Sequence, residues 1–216
     1  MMKLYVYDHC PYCVKARMIF GLKNIPFELD VLLNDDEATP VSMVGKKVVP
    51  ILRKNNGSYM PESMDIVHYV DQFQSPVILT GKTNPQMSEW LNTVGGYINN
   101  LLMPRYVRAN LAEFKTQSAR DYYQQKKEAF IGSFAGHIAN TPALIDRINA
   151  DLLMLDKLIV AENACNGKFS VDDIHLFAVL RGLSIVKGVS YPDTVDHYRK
   201  KMAELSGVNL LDNIAE

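Results

Sequence analysis

Strand-forming segments occur only before residue 61 of this 216-residue chain, and helical periodicity takes over after residue 84. The fold therefore has to be a mixed unit followed by a helical one. Lys3-Leu4-Tyr5-Val6-Tyr7 is β-branched and aromatic and ends at Asp8-His9, which reads as a short strand. From Pro11 onward, Val14, Met18 and Leu22 recur near helical spacing, and Asn24 with Pro26 supplies the stop. Phe27-Glu28-Leu29-Asp30-Val31 alternates as a half-buried strand does, with the preceding helix as its crossover, so these elements form a βαβ unit. Asp35-Asp36-Glu37 places acid where a helix N-terminus favours it, and that short helix runs to about Val44 with Gly45 as terminator. Lys47 to Arg53 reads as a strand interrupted by Pro50, and Asn55-Asn56-Gly57 turns it into the brief strand Ser58-Tyr59-Met60. Pro61-Glu62-Ser63 introduces a helix with Ile66, Val67 and Val70 on one face. The order is βαβαββα.

Gln74 to Pro85 clusters Pro, Gly, Thr and Asn and reads as a connection. Beyond it, Asn84-Pro85 is a good N-cap and N1 pair, followed by Trp90, Leu91, Val94 and Ile98 at helical spacing. About five helices are expected, the later ones near 116–138, 142–160, 171–187 and 192–206. Ser170 opens the clearest of them, with Asp173 placed to reach back to its amide. The expected division is an α/β domain over 1–75, a linker over 76–84 and an all-α domain over 85–216. Trp90 and the Tyr-rich stretches read as core.

The formal net charge is −1, with both signs spread along the chain, so nothing recruits nucleic acid or acidic lipid by bulk charge. Arg199-Lys200-Lys201 reads as a solvated helix face. No stretch approaches the roughly 18 uncharged apolar residues of a membrane span, and the first residues turn polar too soon for a signal peptide. A cytoplasmic protein without a membrane partner is expected. The cysteines, Cys10, Cys13 and Cys165, are odd in number and too few for a disulfide scaffold, which agrees with a reducing compartment. There a close cysteine pair points to chemistry, while Cys165 reads as an ordinary thiol.

Placed at the end of the first strand, Cys10 lies on the N-terminal lip of the first helix, where unpaired N–H groups and the helix dipole favour an anion. Cys-X-X-Cys thiols in such places have pKa values lowered from about 8.5 to roughly 3.5–7.5, and the thiolate is the attacking species. Cys10 is therefore the candidate nucleophile, and Cys13, on the same face, the less exposed resolving thiol. A closed zinc site needs about four ligands. The chain has no second Cys-X-X-Cys and its histidines are scattered, so no metal is expected. His9 either ends the strand or tunes Cys10. Pro50 removes a ladder N–H and belongs at an edge, a bulge or a special turn. Ser63 either caps its helix or helps hold a ligand carboxylate there, with Glu62 accepting from an ammonium group.

Cys10-Pro11-Tyr12-Cys13, Val48-Val49-Pro50 and Pro61-Glu62-Ser63, set in a βαβαββα unit with an all-α unit behind it, resemble the bacterial glutaredoxin 2 family. The resemblance covers essentially the whole chain, including "PYCVKARMIFGLKNIPFEL", "PESMDIVHYV" and Ser170-Val171-Asp172-Asp173. It implies a thioredoxin-like N-terminal domain and a helical domain arranged as in the glutathione transferases. It also implies a glutathione-dependent thiol–disulfide oxidoreductase, with glutathione as reducing co-substrate. In that reading Cys10 is catalytic and Cys13 resolving. Pro50 is cis and faces them, the Val49 backbone pairs with the cysteinyl part of glutathione, Glu62 and Ser63 hold its γ-glutamyl end, and Tyr12 lines the site. The implied partners are glutathione, disulfide-containing or glutathionylated proteins and small thiols, met by a monomer. A glutathione transferase or dehydroascorbate reductase, and a non-catalytic interaction module, are the alternatives on this architecture. Cys10 stands where a transferase carries a hydroxyl, which favours exchange over conjugation, and the intact Cys-Pro-Tyr-Cys with Glu62-Ser63 weighs against a module.

Overall fold

The computed structural model describes residues 1–216. Four short strands, β1 (Lys3–Val6), β2 (Glu28–Val31), β3 (Ile51–Arg53) and β4 (Tyr59–Met60), form one sheet in the order β2-β1-β3-β4. β1 and β2 are parallel, with Leu4 opposite Leu29, and α1 (Pro11–Leu22) is their crossover. β3 runs antiparallel to both β1 and β4. With α2 (Ala38–Val44) and α3 (Ser63–Phe73), the order is βαβαββα. Alternation along β1 sorts its side chains by face. Leu4 and Val6 join the main core with Val14, Ile19 and Ile66, whereas Tyr5 and Tyr7 meet Leu32 and Ile51 in a small second cluster.

The acid run stands at the N-terminus of α2, with Glu37 in the N-cap position, and Asp36 accepts a hydrogen bond from the Thr39 N–H at 2.9 Å. The strand expected from Lys47 begins only at Ile51, because Pro50 offers no N–H to the ladder. The Val49–Pro50 peptide is cis, as is Ser75–Pro76 just after α3.

The second half holds seven helices rather than about five: α4 (Pro85–Gly95), α5 (Asn99–Tyr106), α6 (Gln117–Ile131), α7 (Phe134–Ala139), α8 (Thr141–Asp156), α9 (Val171–Leu183) and α10 (Asp193–Ser206). The helix that opens at Pro85 breaks after Gly95-Gly96, two weak helix formers in succession. The stretch 116–138 breaks at Gly132, whose φ of 90° belongs to glycine. The start of α9 is a capping box of Ser170 and Asp173, as the spacing predicts.

The two halves share one core of 47 buried residues that runs from Leu4 through Trp90 to Leu180 and Met202. α1 is the seam, packed on α3, α9 and α10. Gly21 permits the approach of α10, since a Cβ there would stand 1.7 Å from the Ser206 carbonyl oxygen. No helix is long and apolar enough to cross a membrane.

Candidate active site

Between the end of β1 and Pro11, the first residue of α1, the chain turns through Tyr7, Asp8, His9 and Cys10. Cys10 takes the N-cap position with extended backbone angles, φ −70° and ψ 121°. The first-turn amides of Tyr12 and Cys13 therefore have no helical acceptor and can donate to its sulfur. Cys10 is half-buried, Cys13 is fully buried, and both are free thiols.

The pair is electrostatically asymmetric. Cys10 is drawn down to about 6, first by a hydrogen bond from the Cys13 thiol, against the cost of burial, and then by the His9 charge and the two amides. Cys13 is pushed well above the usual thiol range by burial, and further by its hydrogen bond to Cys10 and that neighbour's negative charge. One negative charge is thus shared, and it resides on Cys10 with Cys13 as donor. The Tyr7 N–H donates to Cys13 Sγ at 3.4 Å and anchors the buried partner.

Beside Cys10 lies a cavity of about 410 Å³ lined by both halves. Cys10, Tyr12, Val48 and Val49 form one wall, and Tyr106 of α5 with Tyr122 and Tyr123 of α6 form the other. Lys47, Lys126 and Lys127 add positive charge, and Lys47 Nζ stands 3.7 Å from the Tyr122 ring centroid.

Of the residues singled out from sequence, His9, Cys10, Tyr12 and Val49 meet in this cavity. Pro50 is buried directly behind Val49. Glu62 and Ser63 sit apart from the cavity, at the start of α3. Ser63 is the first residue inside the helix rather than its cap. Glu62 holds the N-cap position with φ 71°, makes no side-chain cap, and pairs with Lys46 Nζ at 2.9 Å. The free amides at this helix start favour an anion. No group of three or more His, Cys, Asp or Glu side chains converges anywhere.

Trp90 is core, as expected, with its indole N–H donating to the Asp151 carbonyl at 2.7 Å. Tyr122, by contrast, faces the cleft. Its placement had a signal in sequence, because Tyr122 and Lys126, like Tyr123 and Lys127, stand four apart on one helix face. Two further residues had none. Arg181 of α9, fully buried, donates to the main-chain oxygen of Asp8 and to its carboxylate at 2.9 Å, and Arg17 bonds the same carboxylate. Burial alone would raise the Asp8 carboxyl, but Arg181 and Arg17 outweigh it and hold it below its usual value. Glu113, in a short 3₁₀ turn at 112–114, bonds His9.

Residues 86–215 match the family described as "Glutaredoxin 2, C terminal domain", and residues 4–77 match "Glutathione S-transferase, N-terminal domain". The chain is 56% identical over 214 residues to glutaredoxin 2 of Escherichia coli (strain K12), covering 99% of this chain and 100% of that one. A crystal structure of glutaredoxin 2 from Salmonella typhimurium in complex with glutathione superposes with a TM-score of 0.99 at 57% identity, covering 100% of this chain and 99% of the other. A glutathione S-transferase from Rhodospirillum rubrum F11 shares the fold, with a TM-score of 0.60 at 16% identity over 95% of this chain and 87% of that one.

Proposed function

The chain belongs to the glutaredoxin 2 family, and from that membership we propose Cys10 as its attacking thiolate and Cys13 as its resolving thiol. The protein is a glutathione-dependent thiol–disulfide oxidoreductase. The observation that carries the two roles is the asymmetry of the pair: Cys10 opens to the cleft with its pKa drawn to about 6, while Cys13 is buried and held protonated.

Cys10 thiolate attacks the glutathione sulfur of a mixed disulfide, the S–S bond breaks, and the substrate leaves as a thiolate that takes up a proton. A second glutathione thiolate then attacks the Cys10–glutathione disulfide, which frees Cys10 and yields glutathione disulfide. With a protein disulfide, Cys13 attacks the bond between Cys10 and the substrate, and two glutathiones reduce the internal disulfide that results. Two of the influences that hold Cys13 protonated, its hydrogen bond to Cys10 and the Cys10 charge, vanish once Cys10 is in a disulfide. Cys13 thereby becomes easier to ionise at the step that needs it.

The Val49 backbone, beside the thiolate and ahead of Pro50, takes the cysteinyl part of glutathione, and Tyr12 lines that contact. Glu62 and Ser63 take its γ-glutamyl end, supported by the free amides at the start of α3. Disulfide-containing or glutathionylated proteins and small thiols are the oxidised substrates. The enzyme works in the cytoplasm, where glutathione is kept reduced, and as a monomer. The chain divides at 1–75, 76–84 and 85–216, supported by family matches of which one ends at residue 77 and the other begins at residue 86.

The test is glutathione-coupled reduction of a small mixed disulfide, run beside a conjugation substrate. Cys10→Ser should abolish reduction, Cys13→Ser should retain turnover of glutathione mixed disulfides, and conjugation should be weak throughout. Full reduction by Cys10→Ser would refute the assignment.

A further inference from the structure

One carboxylate of the helical half bonds the residue next to the thiol. Glu113 is fully buried, and its Oε1 accepts two hydrogen bonds from His9, from the main-chain N–H at 2.8 Å and from Nδ1 at 2.6 Å. Its second oxygen, Oε2, is buried without a partner. The His9 ring is boxed by aromatics, with the rings of Tyr106, Phe114 and Tyr123 centred 5.0, 5.1 and 5.2 Å away. His9 immediately precedes Cys10, and both line the cleft.

A buried carboxylate with an unpartnered oxygen is costly unless a positive charge faces it. His9 is the side chain that bonds Glu113. We propose that Glu113 is a positioning residue for the exchange reaction: it holds His9 with a proton on Nδ1 and its charge toward Cys10, so that the helical half sets the reactivity of the nucleophile. This inference rests on the assignment of Cys10 as the attacking thiolate. A carboxylate bonded to one ring nitrogen fixes both the tautomer and the orientation of an imidazole. Here the imidazole is also locked sterically by rings from both halves.

The aromatic groups packed on the ring are uncharged. Tyr7, Tyr106 and Tyr123 face His9 from β1's end, α5 and α6, and burial pushes all three phenols above their ordinary value, so they are neutral near pH 7. Asp8, one residue back, is already paired with Arg17 and Arg181. Lys47, Lys126 and Lys127 line the same cleft, Glu113 bonds the ring directly, and the His9 charge is among the causes that lower Cys10.

The direction of the effect separates a relay from a direct field. A Glu113 charge acting straight on Cys10 would repel the thiolate, so its removal would lower the Cys10 pKa. Acting through His9 it supports the positive ring, so its removal raises that pKa. The experiment is the pH profile of iodoacetamide alkylation at Cys10 in the reduced full-length protein, with the modified site identified by mass spectrometry. Glu113→Gln keeps the size and one acceptor while removing the charge, and it should raise the midpoint by about one unit. His9→Gln should raise it at least as far, and the double variant no further than His9→Gln alone. An unmoved or lowered midpoint in folded Glu113→Gln overturns the inference. Should the variants not fold, the ¹⁵N spectrum of the His9 ring in the reduced wild type decides. Both nitrogens protonated at pH 7 supports the relay, and a neutral ring overturns it. Wild type that fails to exchange through Cys10 would sink the nucleophile assignment itself, whereas intact exchange with an unmoved midpoint sinks only the relay.

Discussion

Replacing Cys13 by alanine removes the largest influence that holds Cys10 near 6, the hydrogen bond from the buried thiol. A hydrogen bond to a charged group contributes about 1.5–3 kcal/mol, and one pKa unit corresponds to about 1.4 kcal/mol, so the Cys10 midpoint should rise by roughly one to two units. At pH 7 the thiolate fraction then falls from about nine-tenths to between about one-half and one-tenth. The rate at pH 7 is nevertheless a poor readout. Intrinsic nucleophilicity climbs with pKa at a Brønsted slope of about 0.4–0.5, which returns roughly three- to eightfold. The two effects nearly cancel, and alkylation at pH 7 should change by no more than about twofold. The signature lies at the ends of the profile: attack at pH 5 slows by roughly three- to tenfold, while the alkaline plateau rises by about three- to eightfold. Cys13→Ser retains a donor at the same place and should shift the midpoint less, which separates loss of the hydrogen bond from loss of buried volume. Iodoacetamide rates between pH 4 and 10 measure all of this on one protein. An unchanged midpoint in folded Cys13→Ala would refute the shared-charge account of the pair.

The lowered Cys10 pKa also makes a claim about stability. Between its folded value near 6 and its higher unfolded value the unfolded chain binds more protons, so stability rises with pH by at most about 1.4 kcal/mol per unit and is lost as pH falls through 6. Chemical denaturation of reduced wild type and Cys10→Ser should therefore diverge from pH 6 to pH 8 and run parallel below pH 6; parallel curves throughout would contradict the shift. Arg181→Met strips the buried guanidinium from Asp8 and from the Asn209 carbonyl and should cost about 3–5 kcal/mol in urea unfolding; a loss under 1 kcal/mol would show the pair to be ornamental. Glu62→Ala and Ser63→Ala should raise the KM for glutathione several-fold while leaving kcat within about twofold, because they act on a part of the co-substrate remote from the sulfur. A fall in kcat at constant KM would place them elsewhere in the cycle.

What can be read from the string and what cannot divides by distance along the chain. The start of α1 at Pro11, the left-handed end of α2 at Gly45 and the capping box of Ser170 with Asp173 are each decided by residues within about a turn of one another. So is the asymmetry of Cys10 and Cys13, which follows from one residue standing at the N-cap position and the other lying inside the helix. The helix count fails where glycines compete with apolar periodicity, at Gly95-Gly96 and at Gly132. Periodicity persists across a break that the backbone does not.

The hidden part of the site is carried by contacts 104 and 173 positions apart, His9 with Glu113 and Asp8 with Arg181. A glutamate in "LAEFK" and an arginine in "VLRGL" look like solvated helix faces, because a charged side chain is buried only when its partner comes with it, and the partner lies in the other half. Both partners flank the nucleophile. The two residues immediately before Cys10 are each bonded by a buried charge from the helical half, while Cys13 behind it is held by the Tyr7 amide of the turn. The tetrapeptide is therefore enough to name the thiol, but the turn that aims it is fixed from the helical half. A change at Glu113 or Arg181 should therefore reach Cys10 without touching the motif.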